Sequence, residues 1–292
     1  MITTTSLTKA YGSRHALDDV SVSVPDGSVY GLVGPNGAGK TTLLGILAGL
    51  RRPTSGSVEI GVPRERLAVL PDTPQFEPWL TAREVVDLSR NLSAPEVPPA
   101  RVEEVLIEAG LEEAINVRVG GFSRGMLQRL GLAATVIGNP QVLLLDEPSA
   151  ALDPAGRREV LDVVTRLRGR ATVMFSSHIL SDVQEVCDTV GILRDGRLLF
   201  EGALNDLLVG RAGIIYRIRL REPHERLVAS LQNASWVGSV EQLAPGDLRV
   251  TASDPGVAER NLIKVLADAE AVVISVTPEG ADLEDVFLEL TS

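Results

Sequence analysis

One octapeptide limits the fold more than any other feature of the chain: Gly34-Pro35-Asn36-Gly37-Ala38-Gly39-Lys40-Thr41. It has the form Gly-x-x-x-x-Gly-Lys-Thr, and a shuffled chain of this composition would carry such a match roughly 0.003 times. Its setting is equally specific. Val29 to Val33 is a short, nearly all-apolar run, the pattern of a strand buried on both faces of a parallel sheet. Thr41 to Leu50 reads as a helix ending at Gly49, with Pro53 beyond it. A strand, a glycine loop and a helix in that order make a phosphate cradle. Without Cβ atoms the backbone N–H groups can curve around anionic oxygens, and the helix N-terminus adds partial positive charge. Lys40 is then placed to reach β- and γ-phosphates, and Thr41 to ligate Mg²⁺.

A second apolar strand, Gln141 to Leu145, runs into Asp146-Glu147. An acid at a strand end can hold Mg²⁺ through water, and its neighbour can polarise an attacking water. Thr172 to Ser176 and Thr189 to Arg194 read as further strands. Val20, Val22 and Val24 alternate with Ser21 and Ser23 as one face of a strand, closed by the turn Pro25-Asp26-Gly27. Residues 76–139 are mostly helical in pattern, punctuated at Pro95, Pro98-Pro99 and Gly120-Gly121. Strands alternating with helices imply an α/β fold with a largely parallel sheet.

After Gly210-Arg211-Ala212-Gly213 the character changes. Ile214, Tyr216, Ile218 and Leu220 alternate with Arg217, Arg219 and Arg221 as a half-buried strand. His224 to Leu231 looks helical, and Ser235 to Leu243 with Leu248 to Ala252 reads as a hairpin. Asp254 is a helix cap with Pro255 at the first position. Ala271 to Val276 is a strand, and Leu283, Val286, Phe287 and Leu290 recur at helical spacing. The order β-α-β-β-α-β plus a final helix predicts a small ferredoxin-like α+β domain at 213–292.

Composition removes several classes of function. The charge balance of 28 basic and 39 acidic residues, −11, argues against nucleic-acid binding through an overall field. The single cysteine, Cys187, excludes an intrachain disulfide and a cysteine metal cluster; it reads as a small apolar residue of a helix. The N-terminus lacks the pattern of a signal peptide. The most apolar stretches, Thr42 to Leu50 and Leu130 to Gly138, fall short of the ~20 residues of a membrane span. A soluble cytoplasmic chain is expected.

Six motifs in order resemble those of the ATP-binding subunits of ABC transporters. Besides the phosphate loop and the acidic strand end, Phe122-Ser123-Arg124-Gly125-Met126 with Gln128-Arg129 is similar to the signature motif, and Ser149-Ala150-Ala151-Leu152-Asp153 to the D-loop. Ser176-Ser177-His178 resembles the switch histidine, and Tyr11 the aromatic that stacks on adenine. The resemblance covers about residues 1–212 and implies a P-loop ATPase core with a helical subdomain near 76–139. It implies ATP and Mg²⁺ as ligands. Nucleotide contacts would come from Tyr11, residues 34–41 (Gly34, Pro35, Asn36, Gly37, Ala38, Gly39, Lys40, Thr41), Thr42, Ser123 and Gly125. Metal contacts would come from Thr41, Asp72 and Asp146, with Glu147 as base and His178 on the γ-phosphate. It also implies a second ATPase subunit, a homodimer by expectation, and an integral-membrane permease that holds the chain at the inner face of the cell membrane.

Two departures refine this. The signature has Arg124 where many members have Gly, a feature similar to exporters that include antibiotic self-resistance pumps. After Val69-Leu70-Pro71 the loop that usually offers Gln offers Asp72, with Gln75 as the alternative. The tail from Thr277-Pro278 to Asp282-Leu283-Glu284-Asp285-Val286-Phe287 is also similar to that exporter group. A non-transport ABC ATPase of DNA repair or translation is the rival expectation. Those proteins carry two cassettes or a long coiled coil, and this chain has one phosphate loop and no sustained heptads. His15 and His224 have no motif around them.

Overall fold

The computed structural model describes residues 1–150, 152–211, 215–279 and 283–291. Ala151 of the D-loop, Ala212, Gly213, Ile214 and Asp282 of the tail lie outside the described residues. The chain divides into two compact units, Met1–Ala203 and Leu204–Ser292.

The first unit contains β1 (Ile2–Tyr11), β2 (Arg14–Val20), β3 (Ser23–Val24), β4 (Val29–Val33), α1 (Lys40–Leu47), β5 (Ser55–Ile60) and β6 (Leu67–Leu70). It continues with α2 (Ala82–Ser93), α3 (Ala100–Glu108), α4 (Arg124–Val136), β7 (Val142–Asp146) and α5 (Pro154–Leu167), then β8 (Thr172–Ser177), α6 (Leu180–Val186), β9 (Thr189–Arg194) and β10 (Arg197–Ala203). Among the described residues, a six-stranded sheet runs β10-β9-β4-β8-β7-β6. From β9 to β6 its pairings are parallel; β10 closes the edge antiparallel to β9. Every residue of β4, β7 and β8 is buried, which explains why β4 and β7 read as apolar runs rather than as alternations.

Gly31 lets α6 close on β4: a Cβ there would lie 2.5 Å from a Val183 methyl and 2.7 Å from the Cys187 sulfur. Cys187 follows α6 as its cap rather than lying within it, and burial pushes its thiol pKa well up, so it is an inert packing group. The valine segment is not one strand. Asp19 takes φ +56 and the chain breaks between β2 and β3, yet Val20, Val22 and Val24 all remain buried. β1 pairs with β2, β3 and β5 in a separate antiparallel sheet, and its inner face shares a core with α1 and the strands of the main sheet.

The helical region expected at 76–139 is α2, α3 and α4, packed around their own apolar cluster of Val86, Val105, Leu106 and Leu130. Thr81 starts α2 with a full capping box, its side chain taking the Glu84 N–H while the Glu84 carboxylate accepts from Thr81 N at 2.8 Å. That reciprocal bonding holds the Glu84 carboxyl below its ordinary pKa.

The second unit contains α7 (Leu204–Arg211), β11 (Ile215–Leu220), α8 (Glu225–Gln232), β12 (Val237–Ala244), β13 (Asp247–Ala252), α9 (Pro255–Asp268), β14 (Val273–Glu279) and α10 (Leu283–Thr291). By its contacts the unit begins at Leu204, where α7 packs with α10. The sheet order β12-β13-β11-β14, antiparallel throughout, with α8 and α9 contributing to its core, is the ferredoxin-like arrangement. Tyr216, Ile218 and Leu220 face that core as their alternation predicts. Asp254 caps α9 by accepting from Val257 N at 3.0 Å. No helix of the described residues is long and apolar enough to cross a membrane.

Candidate nucleotide site

Parallel pairing brings three strand ends to one edge. Val33 lies beside Ser177, and Asp146 beside Ser176, so the loops that leave β4, β7 and β8 emerge together. Ligands of open parallel sheets bind at this C-terminal edge. Here it carries the glycine loop, Glu147 and His178.

The glycine loop is shaped by two close approaches. A Cβ on Gly34 would lie 2.2 Å from the Leu193 carbonyl oxygen. Gly39 has φ +113, and a Cβ there would lie 2.5 Å from the Ala16 carbonyl oxygen. Gly39 is also the N-cap of α1 and supplies no side chain to bond the first-turn N–H groups. Those donors are the orphans that an anion satisfies at a helix start. α4 begins differently: Ser123 caps it, its Oγ accepting from Met126 N at 3.2 Å.

Lys40 opens α1 and turns back under the loop. It is 6% exposed, and Nζ donates to the Gly34 carbonyl at 2.6 Å and lies 3.2 Å from Glu147 Oε1. The other carboxylate oxygen of Glu147 takes His178: Oε2 is 2.7 Å from Nδ1 and accepts from the His178 backbone N–H at 3.3 Å. One carboxylate thus bridges the phosphate-loop lysine and the histidine. Glu147 has φ +49, a left-handed backbone that a glutamate rarely adopts. Ser176, fully buried, stabilises this turn. Its Oγ donates to Asp146 Oδ1 at 2.6 Å and accepts from Glu147 N at 3.0 Å.

Tyr11, residues 36–42, Asp72, Glu147 and His178 line one cleft of about 600 Å³. Eleven of the expected site residues therefore meet. Gly34 and Pro35 stand behind the cleft and give it their carbonyls as Lys40 acceptors. Asp146 lies deeper, 5% exposed. Ser123 and Gly125 are not among the lining residues, although Arg124 is. Asp72 faces Arg124, with 3.8 Å between charged atoms, while Gln75 lines a different groove with Leu70, Pro74 and Phe76. The Tyr11 ring is half exposed. Its hydroxyl accepts from Arg51 at 2.7 Å, and the Lys9 ammonium lies 4.9 Å from its centroid.

Arg14 and Ala16 also line the cleft and were missed, because neither belongs to a spaced motif.

An uncapped helix start, a buried loop lysine and two acids at the end of β7 define a P-loop nucleotide hydrolase. A family model described as "ABC transporter" matches residues 17–150. The chain is 35% identical to the "Uncharacterized ABC transporter ATP-binding protein YxlF" of Bacillus subtilis (strain 168), over 99% of this chain and 99% of that one. It is 35% identical to the "Bacitracin transport ATP-binding protein BcrA" of Bacillus licheniformis, over 99% and 97%. Among solved structures it is similar to the "Dimeric structure of a post-hydrolysis state of the ATP-binding cassette MJ0796 bound to ADP and Pi", with TM-score 0.64 and 26% identity over 70% of this chain and 99% of that one. The chain belongs to the ATP-binding proteins of the ABC transporter family, and it is an ATPase.

Proposed function

We propose that this chain powers an export-type transporter, as one of two ATPase subunits that hold two ATPs head to tail and act on a membrane permease. The observation that carries the reading is the chain Lys40–Glu147–His178 at the open start of α1. Lys40 is held by protein oxygens and would exchange Glu147 for the β- and γ-phosphates of ATP. Freed of the lysine, Glu147 accepts a proton from the attacking water, and His178 stays close enough to contact the γ-phosphate. Tyr11 offers an exposed ring face to the adenine.

Mg²⁺ suits the hard oxygens available: the Thr41 hydroxyl, the Asp146 carboxylate and the Asp72 carboxylate, with phosphate and water completing its shell. It would neutralise phosphate charge when bound. No group of three or more His, Cys, Asp or Glu side chains that could hold a metal alone occurs among the described residues, which fits a cation that arrives with its nucleotide. Ser123 and Gly125, outside this chain's own cleft, would serve the nucleotide of the second subunit. Asp72 rather than Gln75 is the loop residue we assign to the nucleotide, because only Asp72 reaches the cleft.

Export is supported by the likeness to a protein named for bacitracin transport and by Arg124 in the signature. The DNA-repair or translation alternative has no comparable support. Two measurements test the reading. Glu147→Gln is expected to bind ATP and to lose hydrolysis. A tagged chain recovered from detergent-solubilised membranes of its own host is expected to bring a multi-span permease; recovery with ribosomes or DNA instead would overturn the transport assignment.

A further inference from the structure

Behind the cleft a fully buried carboxylate joins the loop that follows Glu147 to the helix that follows His178. Asp182, on α6, is 0% exposed. Its Oδ2 accepts from the Ser149 hydroxyl at 2.5 Å, and its Oδ1 accepts from the Arg157 guanidinium on α5. Arg157 also donates to the Ser181 hydroxyl at 2.7 Å. Ser149 is 1% exposed and lies two residues beyond Glu147; Asp182 lies four residues beyond His178.

The two segments are thus bonded at both ends. At the cleft, Glu147 Oε2 meets His178; behind it, Ser149 meets Asp182. Residues 147–149 and 178–182 form a closed ring of covalent and hydrogen bonds around the reacting carboxylate. A charge is a costly way to make such a contact, because burying a carboxylate requires a cationic partner and filled lone pairs. Packing alone would be served by an apolar side chain at 182, as at its neighbours Val183 and Val186. The retained charge gives direction: the Asp182 carboxylate bonds α6 to Ser149 in the 147–149 turn and to Arg157 on α5 at defined oxygens.

We propose that Asp182, with Ser149 and Arg157, is a positioning device that holds His178 against Glu147, so that the base and the histidine face the γ-phosphate in one register. The inference rests on Glu147 and His178 acting as proposed above. It predicts a particular kinetic signature. The phosphate loop is built on β4 and α1, and among the described residues its ion pair to the ring is Lys40 with Glu147. Loosening the ring therefore leaves nucleotide binding intact and slows the chemical step, because a misplacement of about 1 Å costs up to roughly 100-fold in rate.

The test uses the full chain. Ser149→Ala, Asp182→Asn and Glu147→Gln are each assayed for affinity with a fluorescent ATP analogue and for ATP turnover, with rates normalised to the nucleotide-bound fraction so that loss of folded protein does not count as loss of kcat. Ser149→Ala removes one bond without stranding a charge, and it keeps the test valid should Asp182→Asn fold poorly. The expected result is a kcat lowered roughly 10- to 100-fold in both positioning variants, with analogue affinity and KM within about twofold of wild type. Wild-type kcat in Ser149→Ala and Asp182→Asn beside an inactive Glu147→Gln would overturn the positioning role and leave the base assignment standing. Equal losses of affinity and rate would also overturn it, as the mark of a merely structural bond. Wild-type turnover in Glu147→Gln would overturn the base assignment itself.

Discussion

The two units bury their strands in opposite ways, and their chemistry follows. In the first, parallel strands covered on both faces end together, so the charged groups carried by their loops converge at one edge: Lys40, Asp146, Glu147 and His178. In the second, antiparallel strands alternate direction, and polar side chains spread along the sheet. Its Arg217 on β11 pairs with Asp247 on the neighbouring β13 at 2.8 Å, an ion pair that ties two adjacent strands together. Strand direction, more than residue content, decides where reactive groups can converge.

If that contrast is right, damage to the edge of the first unit removes function, and damage to the second removes local stability only. Glu147→Gln is expected to lower turnover by about 10²–10⁴-fold, read by phosphate release, with ATP affinity little changed. Lys40→Ala removes the charged donor and should weaken ATP binding about 10- to 100-fold, measured by titration with a fluorescent analogue. Gly39→Ala forces a Cβ against the Ala16 carbonyl and a non-glycine residue to φ +113, a cost on the order of 1–3 kcal/mol together with a filled cradle. Calorimetric unfolding with and without ATP checks both effects.

The second unit has its own reporter. The chain has two tryptophans, Trp79 in the first unit and the buried Trp236 in the second, so a Trp79→Phe background isolates the second. There, Asp254→Ala should lower the urea midpoint by the equivalent of about 1 kcal/mol, the usual worth of an N-cap, with ATP turnover unchanged. The smallest effect is pH-dependent. Hydrogen bonds from Arg217 hold the Asp247 carboxyl below its ordinary value of 3.8. Its stabilisation is present above that value and fades as pH falls through the lower folded one. Asp247→Asn should therefore be less stable than wild type at pH 7 and approach it below about pH 4. Loss of turnover in either second-unit variant would break the contrast.

Much of this was legible because it depends on local pattern. β4 and β9 follow the runs read for them, β7 and β8 lie within a residue of theirs, and the glycine loop and Asp146-Glu147 point to phosphate chemistry by residue type and spacing, whereas His178 stands out only through the resemblance of Ser176-Ser177-His178 to the switch histidine. The hairpin of β12 and β13 and the capped start of α9 were readable from Pro245-Gly246 and Asp254-Pro255. What escaped depends on contacts between distant segments. The break between β2 and β3 needs the left-handed Asp19, which alternating valines do not announce. The packing of α7 with α10 joins segments nearly eighty residues apart in the chain. Asp182 sits in the pattern of an amphipathic helix as an ordinary acid; only its meeting with Ser149 and Arg157 distinguishes it.

On the proposed function, ATP is held and cleaved in the cleft between the glycine loop and Glu147. A crystal structure of Glu147→Gln grown with Mg²⁺ and ATP tests it most directly. Intact ATP is expected with its β- and γ-phosphates on Lys40 and the N–H groups of residues 36–41, the adenine on Tyr11, and the side chain at 147 released from Lys40 toward the γ-phosphate. ATP bound elsewhere, or Lys40 still donating to the Gly34 carbonyl with the cleft free of nucleotide at saturating ATP, would contradict it.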